Sequence, residues 1–198
     1  MLEVARTQHL ECIMPLIRAE AAEGSWDPEL ARPGPKSDHL FATIRYALEH
    51  GAVPQIDPRT NGRISTRIGG WIFLADAGAT PSGFGLYKDF TADGLELWLC
   101  ALGAHARGKG LGRRMLAELL DTPAGRRIQL ARCSLRTEGG RRCAHVLKSL
   151  DFEPRRTTSR EEWLLHRRTP PAVVHVIATM DMSPFDPAEA QVRAASQA

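Results

Sequence analysis

The spacing of apolar residues predicts a short strand and two helices at the amino terminus. Residues 2–6 alternate apolar and polar side chains, which is typical of a strand. A helix is expected over 9–23, where Pro15 should kink it or delay its start. After a loop rich in Pro and Gly at 24–38, Ser37 or Asp38 is expected to cap a second helix that ends at Gly51.

The middle of the chain is expected to form an antiparallel meander. Apolar runs at 67–75, 83–90 and 94–102 are typical of strands, and residues 91–94 between the last two favour a hairpin turn. The remaining pattern predicts helices at 108–120 and 141–150, and strands at 127–135, 152–158 and 162–168.

This order, β-α-α-β-β-β-α-β-α-β-β, predicts an α+β (mixed α/β) domain whose largely antiparallel sheet is flanked by helices. We expect the domain to cover residues 1–168. Residues 169–198 form a C-terminal extension with one further strand-like run, 172–178, and an Ala-rich end expected to be flexible.

Composition excludes several classes of protein. The chain has 198 residues, of which 43% are hydrophobic and 25% charged, as in ordinary globular proteins, so wholesale disorder and a coiled coil are not expected. The longest uncharged apolar run, 171–180, is about half of a membrane span, and residues 1–10 show no signal peptide. We therefore expect a cytoplasmic protein that does not enter a membrane.

The four cysteines, Cys12, Cys100, Cys133 and Cys143, form no CxxC pair. A zinc site or a redox motif is therefore not expected, and no metal is assigned. Free thiols in a reducing compartment are the simplest interpretation.

Charge is distributed unevenly along the chain. The net charge is +3, but residues 105–168 hold 16 Lys and Arg against 7 Asp and Glu, a net +9. Such a segment favours an anionic partner: a phosphorylated cofactor, a nucleic acid or an acidic protein.

The segment 95–120 carries the clearest chemical signal. An apolar strand leads into Arg107-Gly-Lys-Gly-Leu-Gly112 and then directly into a helix. Glycines let the backbone approach a ligand, and a helix N-terminus presents free N–H groups, so this turn predicts a phosphate site. The side chains of Arg107, Lys109, Arg113 and Arg114 would add positive charge. Neither a Walker A loop nor a GxGxxG dinucleotide fingerprint fits the spacing.

Arg107-x-x-Gly110-x-Gly112 resembles the acetyl-CoA motif of the GNAT superfamily of N-acetyltransferases, and residues 147–153 resemble that family's later Tyr-x-x-Leu-Gly-Phe motif. The resemblance implies acetyl-CoA as co-substrate, with its pyrophosphate on the backbone of the glycine-rich turn and its pantetheine arm paired with the preceding strand. The residues implied in cofactor binding are Ala101, Leu102, Arg107, Gly108, Lys109, Gly110, Leu111, Gly112 and Arg113.

Glu96 is the candidate general base for acetyl transfer, because it is the one charge on an apolar strand. A solvent-facing glutamate at the start of the strand is the alternative. The family's thiol-protonating tyrosine is missing, since Leu147 occupies its position, and Tyr87 on the neighbouring strand is the substitute candidate. A Cys143–His145 nucleophile pair lacks a third orienting group, and packing is the favoured role for both residues.

The acceptor pocket is expected from residues 25–44, where Trp26, Asp27, Glu29 and Asp38 could bind an amine. An ordinary solvated connector is the competing interpretation.

The expected activity is direct acetyl transfer in a ternary complex to a primary amine of a small molecule or protein. An acyl-CoA sensor without turnover is the alternative. A nucleic-acid-binding module is less favoured, because the arginines lack aromatic platforms. A homodimer is possible on the sequence alone.

Overall fold

A computed structural model describes residues 1–56, 61–75 and 80–170. It contains, in chain order, β1 (Leu2–Val4), α1 (Leu10–Ala22), α2 (Pro35–His50), β2 (Ala52–Ile56), β3 (Arg63–Phe73), β4 (Gly83–Asp89), β5 (Leu95–Leu102), α3 (Leu111–Asp121), β6 (Ile128–Ser134), α4 (Glu138–Lys148), β7 (Phe152–Thr157) and β8 (Glu161–His166). The expected α+β class is confirmed, as is the order of the predicted elements.

Two details of the predicted elements were wrong. The sequence pattern gave no strand at β2, which pairs antiparallel with Arg63–Arg67 at the start of β3. This hairpin is largely exposed, so its residues carry no buried alternation that could have indicated a strand. Helix α2 also begins earlier than expected, with Gly34 as its N-cap and Pro35 in its first turn. Ser37 therefore lies inside the helix and is buried rather than acting as a cap.

The strands form one sheet in the order β1-β3-β4-β5-β6-β8-β7, with β2 added beside β3. Every pairing in this sheet is antiparallel except that of β5 with β6. The helix α3 connects these two parallel strands, because a parallel pair needs a crossover rather than a hairpin.

The two faces of the sheet are covered by different helices. On one face, residues of α1 and α2 such as Ile17 and Ile44 pack with Phe84 and Leu86 of β4. On the other, α3 and α4 contribute Leu119 and Leu147 to a second core. Apolar burial on both faces is the main source of stability and fixes β4 and β5 at the centre of the domain.

The strand-like run at 172–178 lies outside the described residues, so the boundary of the C-terminal extension stays a prediction. Within 1–56, 61–75 and 80–170, no helix is long and apolar enough to cross a bilayer.

Candidate active site

The parallel strands β5 and β6 are neighbours over only a short stretch. Leu95 faces Ile128, Glu96 faces Leu130 and Leu97 faces Ala131, and no later pair joins the two strands. By contrast, β5 remains paired with β4 as far as Leu102. The second half of β5 therefore has one edge without a strand partner among the described residues. We call the space between this edge and β6 the cleft.

The alternation of antiparallel hydrogen bonds decides which backbone groups face the cleft. The Gly103 N–H donates to the Ser82 carbonyl at 2.8 Å. Since hydrogen-bonded pairs alternate along the ladder, the backbone groups of Ala101 point to β4, and those of Cys100 and Leu102 point to the cleft. Of the two strand residues expected to bind the cofactor, Leu102 thus presents its backbone there and Ala101 does not.

The glycine-rich turn leads from β5 to the N-terminus of α3. Gly108 and Gly110 have φ angles of 76° and 74°, in the left-handed region that favours glycine, and a Cβ on either would meet no atom within 4 Å. Their role is therefore backbone conformation rather than close packing. At Gly112 the reason is proximity, because a Cβ there would lie 3.3 Å from Leu102 Cδ1.

Gly110 is the N-cap of α3, and its carbonyl accepts the first helical hydrogen bond, from the Arg114 N–H. The N–H groups of Leu111, Gly112 and Arg113 consequently have no acceptor within the helix. Together with the helix dipole they make a site for an anion at one end of the cleft.

The four cations predicted beside this turn are not equivalent. The guanidinium of Arg107 turns towards α1, where it contacts Glu20 at 2.5 Å and Glu23 at 2.8 Å, while its Nε donates to the Leu102 carbonyl at 3.2 Å. Its charge is thus balanced by two carboxylates, and its expected contact with a bound anion stays a prediction.

The other three cations lie at the surface. Arg114 pairs with Glu118 one turn along α3, and Arg113 donates to Ser149 Oγ at 2.7 Å. Lys109 is exposed and has no ion pair within the described part of the chain. Lys109 and Arg113 are therefore the side chains of this group that remain available to an anion.

Glu20 closes the cleft from the side of α1. It is only 9% exposed, and its carboxylate accepts a hydrogen bond from Ser25 Oγ, which in turn contacts Thr137 Oγ1 at the start of α4. Burial raises the pKa of Glu20, although Ser25 and Arg107 act in the opposite direction. Sequence reasoning missed this residue, yet the helical spacing from Ile13 and Ile17 already placed it on the buried face of α1.

Glu96 lies where β5 and β6 separate and is 5% exposed, so the solvent-facing alternative is wrong. Arg132 Nε on β6 contacts Oε1 at 2.6 Å, and Lys88 Nζ on β4 contacts Oε2 at 3.4 Å. Burial lowers the pKa of Lys88. The sequence did not indicate these partners, because identifying them requires the strand register.

Tyr87 is not near Glu96. It pairs with Leu97 and packs in the core on the α3 and α4 face, whereas Glu96 pairs with Lys88 and points to the opposite face. Its hydroxyl leans over Gly69 on β3, where an added Cβ would come within 2.4 Å of it, and burial raises its pKa. The structure therefore directs this phenol away from the cleft.

The remaining candidates on α4 have packing or surface positions. Leu147, at the position of the missing tyrosine, is fully buried in the core. His145 is exposed, whereas Cys143 packs against the core, so the two side chains lie on different sides of the helix. This places the Cys143 and His145 side chains apart rather than as a pair.

The segment expected to bind the acceptor folds beside the cleft, since its first residue is the Ser25 that contacts Glu20. Lys36 pairs with both Asp27 and Glu29, at 3.0 and 3.2 Å. Trp26 packs against Phe84 at 6.3 Å between ring centres. Asp38 is exposed in the first turn of α2.

No group of His, Cys, Asp or Glu arranged to hold a metal ion occurs in the described residues. No family model and no curated protein matches the sequence.

Solved structures do resemble the chain. A candidate phosphinothricin N-acetyltransferase superimposes with a TM-score of 0.57 at 12% identity, over 86% of this chain and 99% of its own. The PaiA N-acetyltransferase of Thermoplasma acidophilum, solved with coenzyme A, gives 0.55 at 15% identity over 84% and 98%. The ribosomal-protein-alanine N-acetyltransferase of Brucella melitensis gives 0.53 at 16% identity over 83% and 97%.

The superposition covers nearly the whole length of each of these structures. The chain therefore has the fold of the GNAT N-acetyltransferases.

Proposed function

We propose that the protein is an N-acetyltransferase that moves the acetyl group of acetyl-CoA to a primary amine by direct attack in a ternary complex. The observation that carries this proposal is the cleft, in which an unpaired edge of β5 ends at the free N–H groups of α3. This arrangement suits one extended ligand with a diphosphate at one end and amides along its arm. The coenzyme A in the similar PaiA structure supports the same ligand class.

The turn and the end of β5 would bind different parts of this ligand. The N–H groups of Leu111, Gly112 and Arg113 would take the diphosphate, with Lys109 and the Arg113 side chain adding charge. The Leu102 and Cys100 backbones would pair with the amide-bearing arm, after the Leu102 carbonyl exchanges the Arg107 Nε for a ligand N–H.

Glu96 is the proposed base. The acceptor nitrogen attacks the thioester carbon, a C–N bond forms, the C–S bond breaks and coenzyme A leaves as its thiolate. The proton leaves the nitrogen for the Glu96 carboxylate directly or through water. The strong contact of Arg132 holds Oε1, so Oε2, with its longer 3.4 Å contact to Lys88, is the oxygen available for this proton. We do not extend the proposal to Tyr87, because its hydroxyl lies over Gly69.

The experiment that tests the cofactor site is calorimetric titration with acetyl-CoA, with ATP as the control ligand. Wild-type protein should bind acetyl-CoA, and Gly110→Trp, which fills the turn, should not. Absence of binding to the folded wild-type protein would overturn the proposal.

An acyl-CoA sensor without turnover is the second candidate, favoured by the buried Leu147 where the family's tyrosine would stand. Turnover against a panel of amines separates the two. In an enzyme, Glu96→Gln should lower kcat while leaving acetyl-CoA affinity within a few-fold. The matched control is Glu162→Gln, since Glu162 is also a buried carboxylate with a lysine partner, Lys148 at 2.8 Å, but lies on β8.

A further inference from the structure

Three thiols that the proposed reaction does not use meet beside the cleft. Cys100 on β5 and Cys143 on α4 are 3.8 Å apart between their sulfur atoms, and Cys133 on β6 packs in the same core. The sequence gave no indication of this cluster, because the three cysteines are separated by 33 and 10 residues.

The cluster lies where the strands have already separated. Cys100 and Cys133 follow Leu97 and Ala131, the last residues at which β5 and β6 are paired. Cys143 on α4 contacts Cys100, and Cys133 packs in the same core, so the cluster joins β5, β6 and α4.

The environment favours one reactive thiol. The neighbouring thiols of Cys100 and Cys133 lower the pKa of Cys143, whereas the pKa of Cys100 is raised. A thiolate is the form that attacks an oxidant. Cys100 and Cys143 are partly exposed as residues, whereas Cys133 is buried.

We propose that Cys100 and Cys143 are a modification site, at which a peroxide produces a reversible disulfide that closes the cleft. The Cys143 thiolate attacks one peroxide oxygen, the O–O bond breaks, and the sulfur is oxidised to a sulfenic acid while the other oxygen leaves as water or an alcohol. The Cys100 thiol then displaces the sulfenic oxygen as water, and the S–S bond forms. Overall, two thiols are oxidised and one peroxide is reduced.

The bond has a geometric consequence for the cleft. Its formation brings the two sulfur atoms from 3.8 Å to about 2.05 Å and ties α4 to the unpaired part of β5. Once tied, α4 could not move aside to admit a ligand arm along that edge. This consequence rests on the proposed function, whereas disulfide formation itself does not.

The test treats the full chain with hydrogen peroxide and maps its peptides by mass spectrometry without reduction. A Cys100–Cys143 linked peptide, lost again with dithiothreitol, is the expected result. Unlinked cysteines, or a link between Cys133 and Cys143, would overturn the proposed site.

Titration of the same samples with acetyl-CoA tests the closing of the cleft. Oxidised wild-type protein should bind at least about tenfold more weakly than reduced protein, and dithiothreitol should restore the affinity. Cys143→Ser should keep its affinity after peroxide. The control Cys12→Ser should behave as wild type, because Cys12 lies on α1 and contacts the His9 carbonyl instead.

Unchanged affinity in a protein shown to carry the disulfide would overturn the closing of the cleft. If reduced wild-type protein does not bind acetyl-CoA at all, the proposed function fails, and the peptide map still decides whether the disulfide site exists.

Discussion

The two edges of β5 have different roles although they belong to one strand. Towards β4, the pairing runs from Leu95 to Leu102, and towards β6 it ends at Leu97. The first edge holds the sheet together, with apolar packing on both faces. The second leaves the backbone groups of Cys100 and Leu102 without a strand partner beside a helix N-terminus, although Arg107 Nε donates to the Leu102 carbonyl.

The sequence of a strand does not by itself distinguish its structural edge from its ligand-binding edge. The eight residues of β5 are apolar almost throughout, as expected for a strand buried on both faces. What leaves one edge unpaired is the divergence of β6, which depends on tertiary packing. Substitutions on the two sides should therefore separate stability from binding.

The largest effect is expected from shortening a core side chain that packs against the paired strands β4 and β5. Leu119 on α3 is fully buried and packs against β4, where an added Cβ on Gly85 would lie 2.5 Å from its Cδ1. Leu119→Ala should lower the free energy of unfolding by about 2–5 kcal/mol, because it leaves a cavity in the core. Urea unfolding followed by circular dichroism measures this loss.

The control is Leu48→Ala, which removes the same atoms from a partly exposed position on α2 and should cost less. Acetyl-CoA affinity of the folded Leu119→Ala protein should stay near wild type. A large loss of affinity at a small loss of stability would contradict the division between the two edges.

The next effect concerns the end of the unpaired edge. Gly110→Val places a β-branched residue at a φ of 74° and adds bulk in front of the free N–H groups of α3. We expect acetyl-CoA affinity to fall about 100-fold, equivalent to about 2.8 kcal/mol. Titration calorimetry measures it.

Gly34 provides a matched control, since it is also a helix N-cap with no atom near its missing Cβ, but its φ of 165° is open to any residue. Gly34→Val should bind acetyl-CoA as wild type does. If both variants lost the same affinity for acetyl-CoA, the cause would be general destabilisation of the protein rather than damage to the anion site.

The sequence predicted the fold better than the chemistry of the site. Apolar periodicity located α1, α3 and the central strands, because each buries a continuous face. The glycine-rich turn was also identifiable from its sequence, since the conformation of Gly110 and the nearness of Leu102 to Gly112 both favour glycine within a few residues. Local patterns could therefore indicate where the anion site lies.

Contacts between distant elements were beyond such patterns. The partners of Glu96 depend on strand register, and those of Arg107 lie 84 and 87 residues away on α1. The face on which Tyr87 lies was equally hidden, since an irregularity in the β4–β5 register falls just before it. These long-range placements decide which charges are free to meet a ligand.

A smaller effect is expected at Arg107, which distinguishes a ligand-binding cation from a structural one. Arg107→Gln should lower the free energy of unfolding by about 1–3 kcal/mol, because the buried Glu20 carboxylate loses its charged partner. Acetyl-CoA affinity should fall less than about tenfold, since the backbone N–H groups remain. Urea unfolding and calorimetry give the two numbers.

Arg114→Gln is the control for Arg107→Gln, because it removes an exposed pair within α3 and should cost no more than about 0.5 kcal/mol. If Arg107→Gln weakened acetyl-CoA as much as Gly110→Val does, its guanidinium would have to contact the ligand directly.

The smallest effect is the pH dependence contributed by Glu20, which lies across the open side of the cleft. Burial raises the pKa of its carboxyl above the ordinary value of 4.5. The folded state therefore holds this proton more tightly than the unfolded state, and its contribution to stability is full below pH 4.5 and is lost as the pH rises through the raised pKa.

In Glu20→Gln this part of the decline should disappear, so the difference in unfolding free energy between wild type and variant should shrink over that interval and then stay constant. Urea unfolding at a series of pH values above 4.5 measures it. Glu23→Gln should flatten the wild-type slope only in part, because the Glu23 charge is one of the smaller causes of the raised Glu20 pKa. A difference that grows with pH would mean that the contact with Arg107, rather than burial, dominates the Glu20 carboxylate.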